Sequence, residues 1–148
     1  MPDDVDADRT NGNLKQGHDS MDALLIDDSR AMRRILAKTV APLGFNILEA
    51  GDGQEGLDQW RRNPGIEIVL VDWNMPVMNG LDFVKSVRAS EGSDHQKIIM
   101  VTTESEPSQM ARALMAGVDE FLMKPFTPDM LVDKMNLIGV TLADSSSV

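Results

Sequence analysis

Three carboxylates follow short apolar runs of the sequence, at positions where they could do chemistry. Asp27 and Asp28 come after the first run, and Asp72 comes after the third. The fourth run ends at Thr102 and the fifth at Lys124. Oxygen ligands without histidine or cysteine suit Mg²⁺, and a carboxylate can also be the nucleophile that accepts a phosphoryl group. We therefore predict that Asp27 and Asp28 hold Mg²⁺ while Asp72 accepts a phosphoryl group. The Thr102 hydroxyl and the Lys124 ammonium would then contact that group.

Crowded carboxylates have a cost that argues against a purely structural role. Two carboxylates about 4 Å apart repel by a few kcal/mol at an effective dielectric constant near 20. Core packing would not select such a cluster, so a cation is expected beside it. The alternative is that each carboxylate is a solvated loop residue, or that Asp27 and Asp28 before Ser29 merely cap the first helix.

Five pairs of a strand and a helix account for residues 21–140. Short apolar runs alternate with amphipathic stretches, which is typical of an α/β domain with a parallel sheet. We predict strands at 23–27, 45–50, 66–71, 97–102 and 120–123, and helices around 32–40, 54–62, 81–87, 107–117 and after Pro125. Ligands bind beyond the carboxyl ends of strands in such sheets. The topology would therefore bring the five site residues to one edge.

Composition excludes several classes of protein. The chain has 148 residues and a formal net charge of −10, and it lacks the basic stripe that a nucleic-acid partner requires. It contains no cysteine and no apolar run long enough to span a membrane. We expect one cytoplasmic domain over 21–142, a disordered acidic tail over 1–20 and a polar end over 143–148. The pair Arg33 and Arg34 is interpreted as a solvated helix face.

A glycine-rich motif suggests a rival function. Gly51–Gly56 fits the G-x-G-x-x-G pattern of dinucleotide-binding enzymes. However, Asp52 and Glu55 would repel a pyrophosphate, and the length leaves no room for a substrate domain. We interpret these glycines as the turn into the second helix. A phosphatase of the haloacid dehalogenase type would need an acidic residue where Asn74 stands.

Four segments resemble the receiver domain of two-component response regulators: Leu24–Asp28, Asp72–Pro76, Val101–Thr102 and Lys124–Phe126. The likeness covers residues 22–142 and favours the CheY-like, single-domain chemotaxis type. This resemblance implies a flavodoxin-like (βα)5 fold, a three-layer sandwich whose five-stranded parallel sheet has the order 2-1-3-4-5. It also implies a signalling switch that binds partners and is not an enzyme acting on an external substrate.

The resemblance gives each residue of the cluster a role. Asp72 would accept the phosphoryl group from a phosphohistidine of a sensor histidine kinase. Asp28 and Asp72 would bind Mg²⁺ directly, and the main-chain carbonyl of Asn74 would be another ligand. Asp27 would act largely through water. The hydroxyl of Thr102 and the ammonium of Lys124 would contact the phosphoryl oxygens.

An output surface on the fourth helix, fifth strand and fifth helix is also implied. In the family, the residue matching Thr102 moves toward the phosphoryl group and an aromatic ring on the fifth strand fills the vacated space. That ring is Phe121 here, where chemotaxis regulators usually carry Tyr, although plain core packing is the alternative. Asn74 and Glu104 match positions that tune phosphoaspartate hydrolysis. Glu104 and Glu106 make the loop acidic where lysines are usual, which disfavours the flagellar motor switch as partner.

Two kinds of downstream partner fit the same site residues. One is a target protein that binds the switched state. The alternative is a histidine phosphotransfer protein, to which a phosphorelay shuttle would pass the group. We expect a monomer, with a phosphorylation-dependent dimer as the alternative.

Overall fold

The computed structural model describes residues 21–140 and 142. Within these residues, five strands and five α-helices alternate, with one short 3-10 turn at Ala41–Leu43. The strands are β1 (Met21–Ile26), β2 (Phe45–Ala50), β3 (Ile66–Val71), β4 (Lys97–Thr102) and β5 (Glu120–Met123). The helices are α1 (Arg30–Val40), α2 (Gly53–Arg62), α3 (Gly80–Arg88), α4 (Pro107–Ala116) and α5 (Pro128–Leu137).

The strands form one parallel sheet between two layers of helices. The strand order is β2-β1-β3-β4-β5. Helices α1 and α5 cover one face, and their buried side chains are Leu36, Val40, Leu131 and Met135. Helices α2, α3 and α4 cover the other, and their buried side chains in the core are Leu57, Leu81, Phe83, Val84, Val87 and Ala113. The predicted flavodoxin-like fold with order 2-1-3-4-5 is thereby confirmed.

The first strand differs from its predicted bounds, whereas the other four agree with theirs. β1 begins at Met21 and ends at Ile26, one residue before Asp27. Asp22 belongs to the strand despite its charge, because its N–H donates to the carbonyl of Gly65 at 3.2 Å. The strand therefore starts two residues earlier than its apolar run.

Helices α1, α2 and α3 begin at the carboxyl edge of the sheet. The first N–H groups of a helix have no partner within it, and side chains can supply one. Ser29, Asp52 and Asn79 do so here, each accepting from the N–H three residues further on. These caps fix where each helix leaves the loops that carry the predicted site residues.

Close packing explains two glycines of the G-x-G-x-x-G motif. Gly51 lies in the turn before α2, but Gly53 and Gly56 lie within the helix. The N–H of Gly53 donates to the carbonyl of Met78 at 3.0 Å, and a Cβ at position 53 would overlap that carbonyl. A Cβ at position 56 would likewise overlap the side chain of Ile26. Neighbouring side chains and backbone therefore account for both glycines without a bound phosphate.

Some predictions fall on other parts of the chain. The predicted tail over 1–20 and the polar end over 143–148 lie outside the described residues. In the part that the structure describes, no helix is both long and apolar enough to cross a membrane.

Candidate functional site

The ends of β1 and β3 bring three carboxylates together. The N–H of Asp27 donates to the carbonyl of Ala50 at 3.1 Å, and the N–H of Asp72 donates to the carbonyl of Ile26 at 3.0 Å. The sheet hydrogen bonds therefore continue just past the strands and fix both backbones. One carboxylate oxygen from each of Asp27, Asp28 and Asp72 lies within 4.8 Å of the others. The structure thus gathers these three predicted residues in one cluster.

Lys124 joins this cluster from β5. Its Nζ lies 2.9 Å from Asp27 Oδ2 and 3.0 Å from Asp72 Oδ2. Its main-chain N–H donates to the carbonyl of Thr102 at 3.0 Å, which fixes the end of β5 beside β4. Burial alone would lower the pKa of Lys124, but hydrogen bonds and attraction from the two carboxylates outweigh it and raise that pKa above its ordinary 10.5. Lys124 therefore stays charged and neutralises one of three negative charges.

Asp27 and Asp28 differ in burial and in partners. Asp27 is 1% exposed, and its Oδ1 accepts the N–H of Ser29 at 2.9 Å while its Oδ2 accepts from Lys124. Asp28 is exposed, and its carboxylate has no hydrogen bond or ion pair with any residue that the structure describes. Asp28 is therefore the carboxylate with both oxygens available to a ligand.

The main chain around Asp72 holds its carboxylate in one direction. Asp72 Oδ1 accepts the N–H of Trp73 at 2.6 Å, and Oδ2 accepts from Lys124. The N–H of Gly80 donates to the carbonyl of Trp73 at 2.8 Å, and a Cβ at position 80 would overlap the carbonyl of Asp72. Only glycine permits this approach of α3. Asn74 lies exposed in the same loop, two residues after Asp72.

Thr102 is buried at the end of β4 and is joined to the loop that follows. Its Oγ1 accepts the N–H of Glu104 at 3.1 Å. Among the described residues its hydroxyl hydrogen meets no acceptor, so this O–H remains available to donate. The carboxylate of Glu104 turns back on its own loop, where Oε2 accepts the N–H of Glu106 at 3.0 Å. Thr102 is thus linked directly to the entry of α4.

Phe121 lies inward in this structure. It is 7% exposed and lies opposite Met100 of β4, in the core layer shared with α2, α3 and α4. This position suits a switch residue in its inward rotamer and a plain core residue equally well.

One residue at this edge was not predicted from the sequence. Arg33 was interpreted as part of a solvated face, but its side chain is only 15% exposed. Its Nη1 donates to the carbonyl of Asp27 at 2.6 Å, and its Nε donates to Glu49 at 2.8 Å. Arg34 is exposed, as predicted. The available signal was the position of Arg33 one helical turn after the cap Ser29, which directs it back toward the loop.

Comparison with known families and proteins gives consistent matches. A family model described as the response regulator receiver domain matches residues 23–136. A chemotaxis protein CheY homolog from Campylobacter jejuni is 45% identical over 116 residues, which cover 78% of this chain and 89% of the relative. Chemotaxis protein CheY1 from Helicobacter pylori is 43% identical over 119 residues, which cover 80% of this chain and 96% of the relative.

Solved structures show the same fold. The chemotaxis protein CheY4 from Vibrio cholerae matches with a TM-score of 0.75 and 31% identity, over 80% of this chain and 98% of that chain. A CheX-CheY-BeF3-Mg²⁺ complex from Borrelia burgdorferi matches with a TM-score of 0.73 and 25% identity, over 79% of this chain and 88% of that chain. The family match includes every residue of the cluster described above.

Proposed function

Because this chain belongs to the response regulator receiver family and is CheY-like, we propose that it is a Mg²⁺-dependent, phospho-accepting switch in chemotaxis-type signalling. Asp72 accepts the phosphoryl group from a phosphohistidine of a sensor histidine kinase. The observation that carries the proposal is the pairing of Asp72 with Lys124 inside a cluster of three carboxylates. The chain's chemistry is limited to its own phosphorylation and the hydrolysis of the product, so it is not an enzyme acting on an external substrate.

The donor set fits Mg²⁺, which prefers oxygen ligands and keeps several waters. Asp28 and Asp72 would hold the ion directly, whereas Asp27, which is only 1% exposed, would act through water. The carbonyl of Asn74, in the loop after Asp72, would be a further ligand. When bound, the ion neutralises the two negative charges that Lys124 leaves and polarises the phosphoryl oxygens.

The transfer exchanges one P–N bond for one P–O bond. A carboxylate oxygen of Asp72 attacks phosphorus, and the bond from phosphorus to the donor imidazole breaks. The electron pair stays on that nitrogen, and the other ring nitrogen carries the proton, so the imidazole leaves neutral. Such transfers need little covalent help, so in-line placement and charge neutralisation supply most of the catalysis. The N–H of Trp73 and the close approach of Gly80 support this role by holding Asp72.

Two groups remain to bind the transferred phosphoryl oxygens. A lysine ammonium has three N–H donors, and Asp27 and Asp72 take only two from Lys124. Thr102 can donate its free O–H. If its hydroxyl turns toward the phosphoryl group, Oγ1 leaves the N–H of Glu104, and the loop before α4 loses one of its contacts. This supports a route from Asp72 to the output surface.

The output surface consists of α4, β5 and α5, and it binds a downstream protein in the phosphorylated state. It combines exposed apolar side chains, among them Met115 and Met130, with the carboxylate of Glu106 at the entry of α4. The inward ring of Phe121 has no hydroxyl to offer a partner. The Borrelia burgdorferi complex, in which CheY is bound with CheX, BeF3 and Mg²⁺, supports a protein partner for this state.

Fluorescence of Trp73, which is buried beside Asp72, provides the test. With Trp60 replaced by Phe to isolate the signal, Mg²⁺ and then beryllofluoride should each change the emission. Asp72→Asn should abolish the second response, because the acceptor carboxylate is gone. Asp94→Asn removes an exposed carboxylate elsewhere and should respond like the parent protein. Absence of any Mg²⁺-dependent change in the parent would contradict the proposal.

Phosphotransfer assays separate the two kinds of partner. The chain should accept the phosphoryl group from a sensor kinase and retain it long enough to bind a target protein. Rapid onward transfer to a histidine phosphotransfer protein would instead identify a phosphorelay shuttle.

A further inference from the structure

We propose that Arg33 is a positioning residue of this site, which orients the peptide leading into Asp28 and thereby sets the affinity for Mg²⁺. The inference rests on the proposed function, because it assigns Arg33 to the same metal site. Arg33 itself contacts neither the metal nor the phosphoryl group in this role.

Arg33 reaches back from α1 and bonds two acceptors through different nitrogens. Nη1 lies 2.6 Å from the carbonyl oxygen of Asp27, and Nε lies 2.8 Å from Glu49 Oε1. A guanidinium is planar and its donors have a fixed geometry. It cannot rotate away from the Asp27 carbonyl without also breaking the bond to Glu49.

The bonded carbonyl belongs to the same peptide unit as the N–H of Asp28. A peptide unit is planar, so a bond that fixes its oxygen also fixes the plane from which the Cα of Asp28 leaves. Asp27 has further support, because its carboxylate is held by Ser29 and Lys124. The Asp28 carboxylate has no partner among the described residues, so its direction depends on its backbone.

Glu49 completes this support from the neighbouring strand. It precedes Ala50, whose carbonyl accepts the N–H of Asp27 at 3.1 Å. Arg33 therefore ties α1 and the end of β2 to the loop after β1. The side chain of Glu49 is 45% exposed, and a pair with an exposed member contributes little to stability. The Arg33–Glu49 pair instead fixes the orientation of the guanidinium, because it holds the guanidinium against the carbonyl of Asp27.

When Arg33 is replaced, the loss of its charge and the loss of its positioning role should have opposite effects on Mg²⁺ affinity. Loss of a positive charge near a cation site would by itself tighten Mg²⁺ binding. Loss of the positioned peptide would weaken it. Arg34 is the matched control, because it is the next residue of α1, carries the same charge and makes no hydrogen bond or ion pair with the described residues.

The test is a Mg²⁺ titration followed by Trp73 fluorescence and by calorimetry. Arg33→Gln should raise the Kd about tenfold, which is the lower end of the effect of removing a partner that orients metal ligands. Arg34→Gln should stay within about twofold of the wild type, because exposed charges are screened by salt. Arg33→Lys should fall between the wild type and Arg33→Gln, because an ammonium can keep only part of the contact. Thermal unfolding without Mg²⁺ shows which variants fold.

The outcomes separate this inference from the proposed function. Equal Kd values for Arg33→Gln and Arg34→Gln, or tighter binding by both, would overturn the positioning role while leaving the function intact. A wild type that does not bind Mg²⁺ would overturn both. If Arg33→Gln does not fold, Arg33→Lys decides the question. It keeps the positive charge but loses part of the contact with the Asp27 carbonyl, so binding should weaken, and an unchanged Kd would overturn the inference.

Discussion

The two edges of the sheet differ in how completely their charged side chains are paired. At the amino edge, each nitrogen of the Arg88 guanidinium donates a hydrogen bond. Arg88 donates through Nε to the carbonyl of Gly117 at 3.1 Å, through Nη1 to the carbonyl of Ser93 at 2.6 Å and through Nη2 to Asp119 at 3.0 Å. The same carboxylate of Asp119 accepts the N–H of Ile98 at 2.8 Å. At the carboxyl edge, the ammonium of Lys124 pairs with only two of the three carboxylates.

This difference separates a structural role from a functional one. At the amino edge, the guanidinium joins the ends of α3 and α4 to the segments that start β4 and β5, and each of its three nitrogens has a partner. At the carboxyl edge, two negative charges remain uncompensated and one carboxylate has no partner among the described residues. Charged side chains are abundant at both edges. The imbalance of charge therefore distinguishes the edge with the proposed Mg²⁺ site better than the number of charged residues does.

The largest expected effect is at the amino edge. Arg88→Met keeps an aliphatic side chain beside Gly117 but removes a donor from two carbonyls and from the Asp119 carboxylate, which keeps only the N–H of Ile98. The free energy of unfolding should fall by about 3 kcal/mol, measured by urea denaturation. Mg²⁺ affinity should not change. Arg112→Met, at an exposed arginine of α4, should stay within about 0.5 kcal/mol of the wild type. A parallel loss of Mg²⁺ binding in the Arg88 variant would break the contrast between the edges.

A smaller effect of the opposite sign is expected at the carboxyl edge. Without divalent ions, Asp28→Asn should raise the free energy of unfolding by about 0.5–1 kcal/mol, because it removes one of three crowded charges. Excess Mg²⁺ should reverse this order by stabilising only the wild type. Thermal unfolding in chelator and in Mg²⁺ measures both, with Asp94→Asn as the control. Lower stability of Asp28→Asn in chelator would mean that this carboxylate is supported in the fold.

The smallest effect concerns the protonation of Lys124. Its pKa is raised in the folded state, so its stabilising contribution is fully present below about 10.5 and is lost as the pH rises through the raised value. The stability difference between the wild type and Lys124→Met should therefore shrink above about pH 10.5, as measured by denaturation at several pH values. A difference that stays constant there would show that the two carboxylates do not raise this pKa.

The sequence predicts those features that depend on apolar patterning and topology. Strands β2 to β5 have their predicted bounds, because strands buried between two helix layers appear as short apolar runs bounded by polar or glycine-rich segments. The cluster of Asp27, Asp28 and Asp72 was predicted because parallel strands end at one edge. β1 begins two residues earlier than predicted, since the charge of Asp22 conceals that this residue belongs to the sheet.

The features that the sequence does not predict depend on contacts with main-chain atoms. Arg33 and Arg88 both donate to carbonyl oxygens, which every residue carries, so no residue type in the sequence indicates the partner. Gly53 and Gly80 are required because another segment's backbone lies against each of them, and only the folded structure shows which segment that is. Positions of this kind are fixed by tertiary contacts that local patterns do not contain.

The close approaches at Gly53 and Gly80 also limit how this chain can diverge. The carbonyl of Met78 lies against Gly53, and that of Asp72 lies against Gly80, so the starts of two helices contact the loop that follows Asp72. Between these points Val77 is 82% exposed. Space around Val77 does not restrict its side chain, but its φ of 69° favours glycine or asparagine over a β-branched residue. The backbone path of the loop therefore limits substitution here more than the surrounding side chains do.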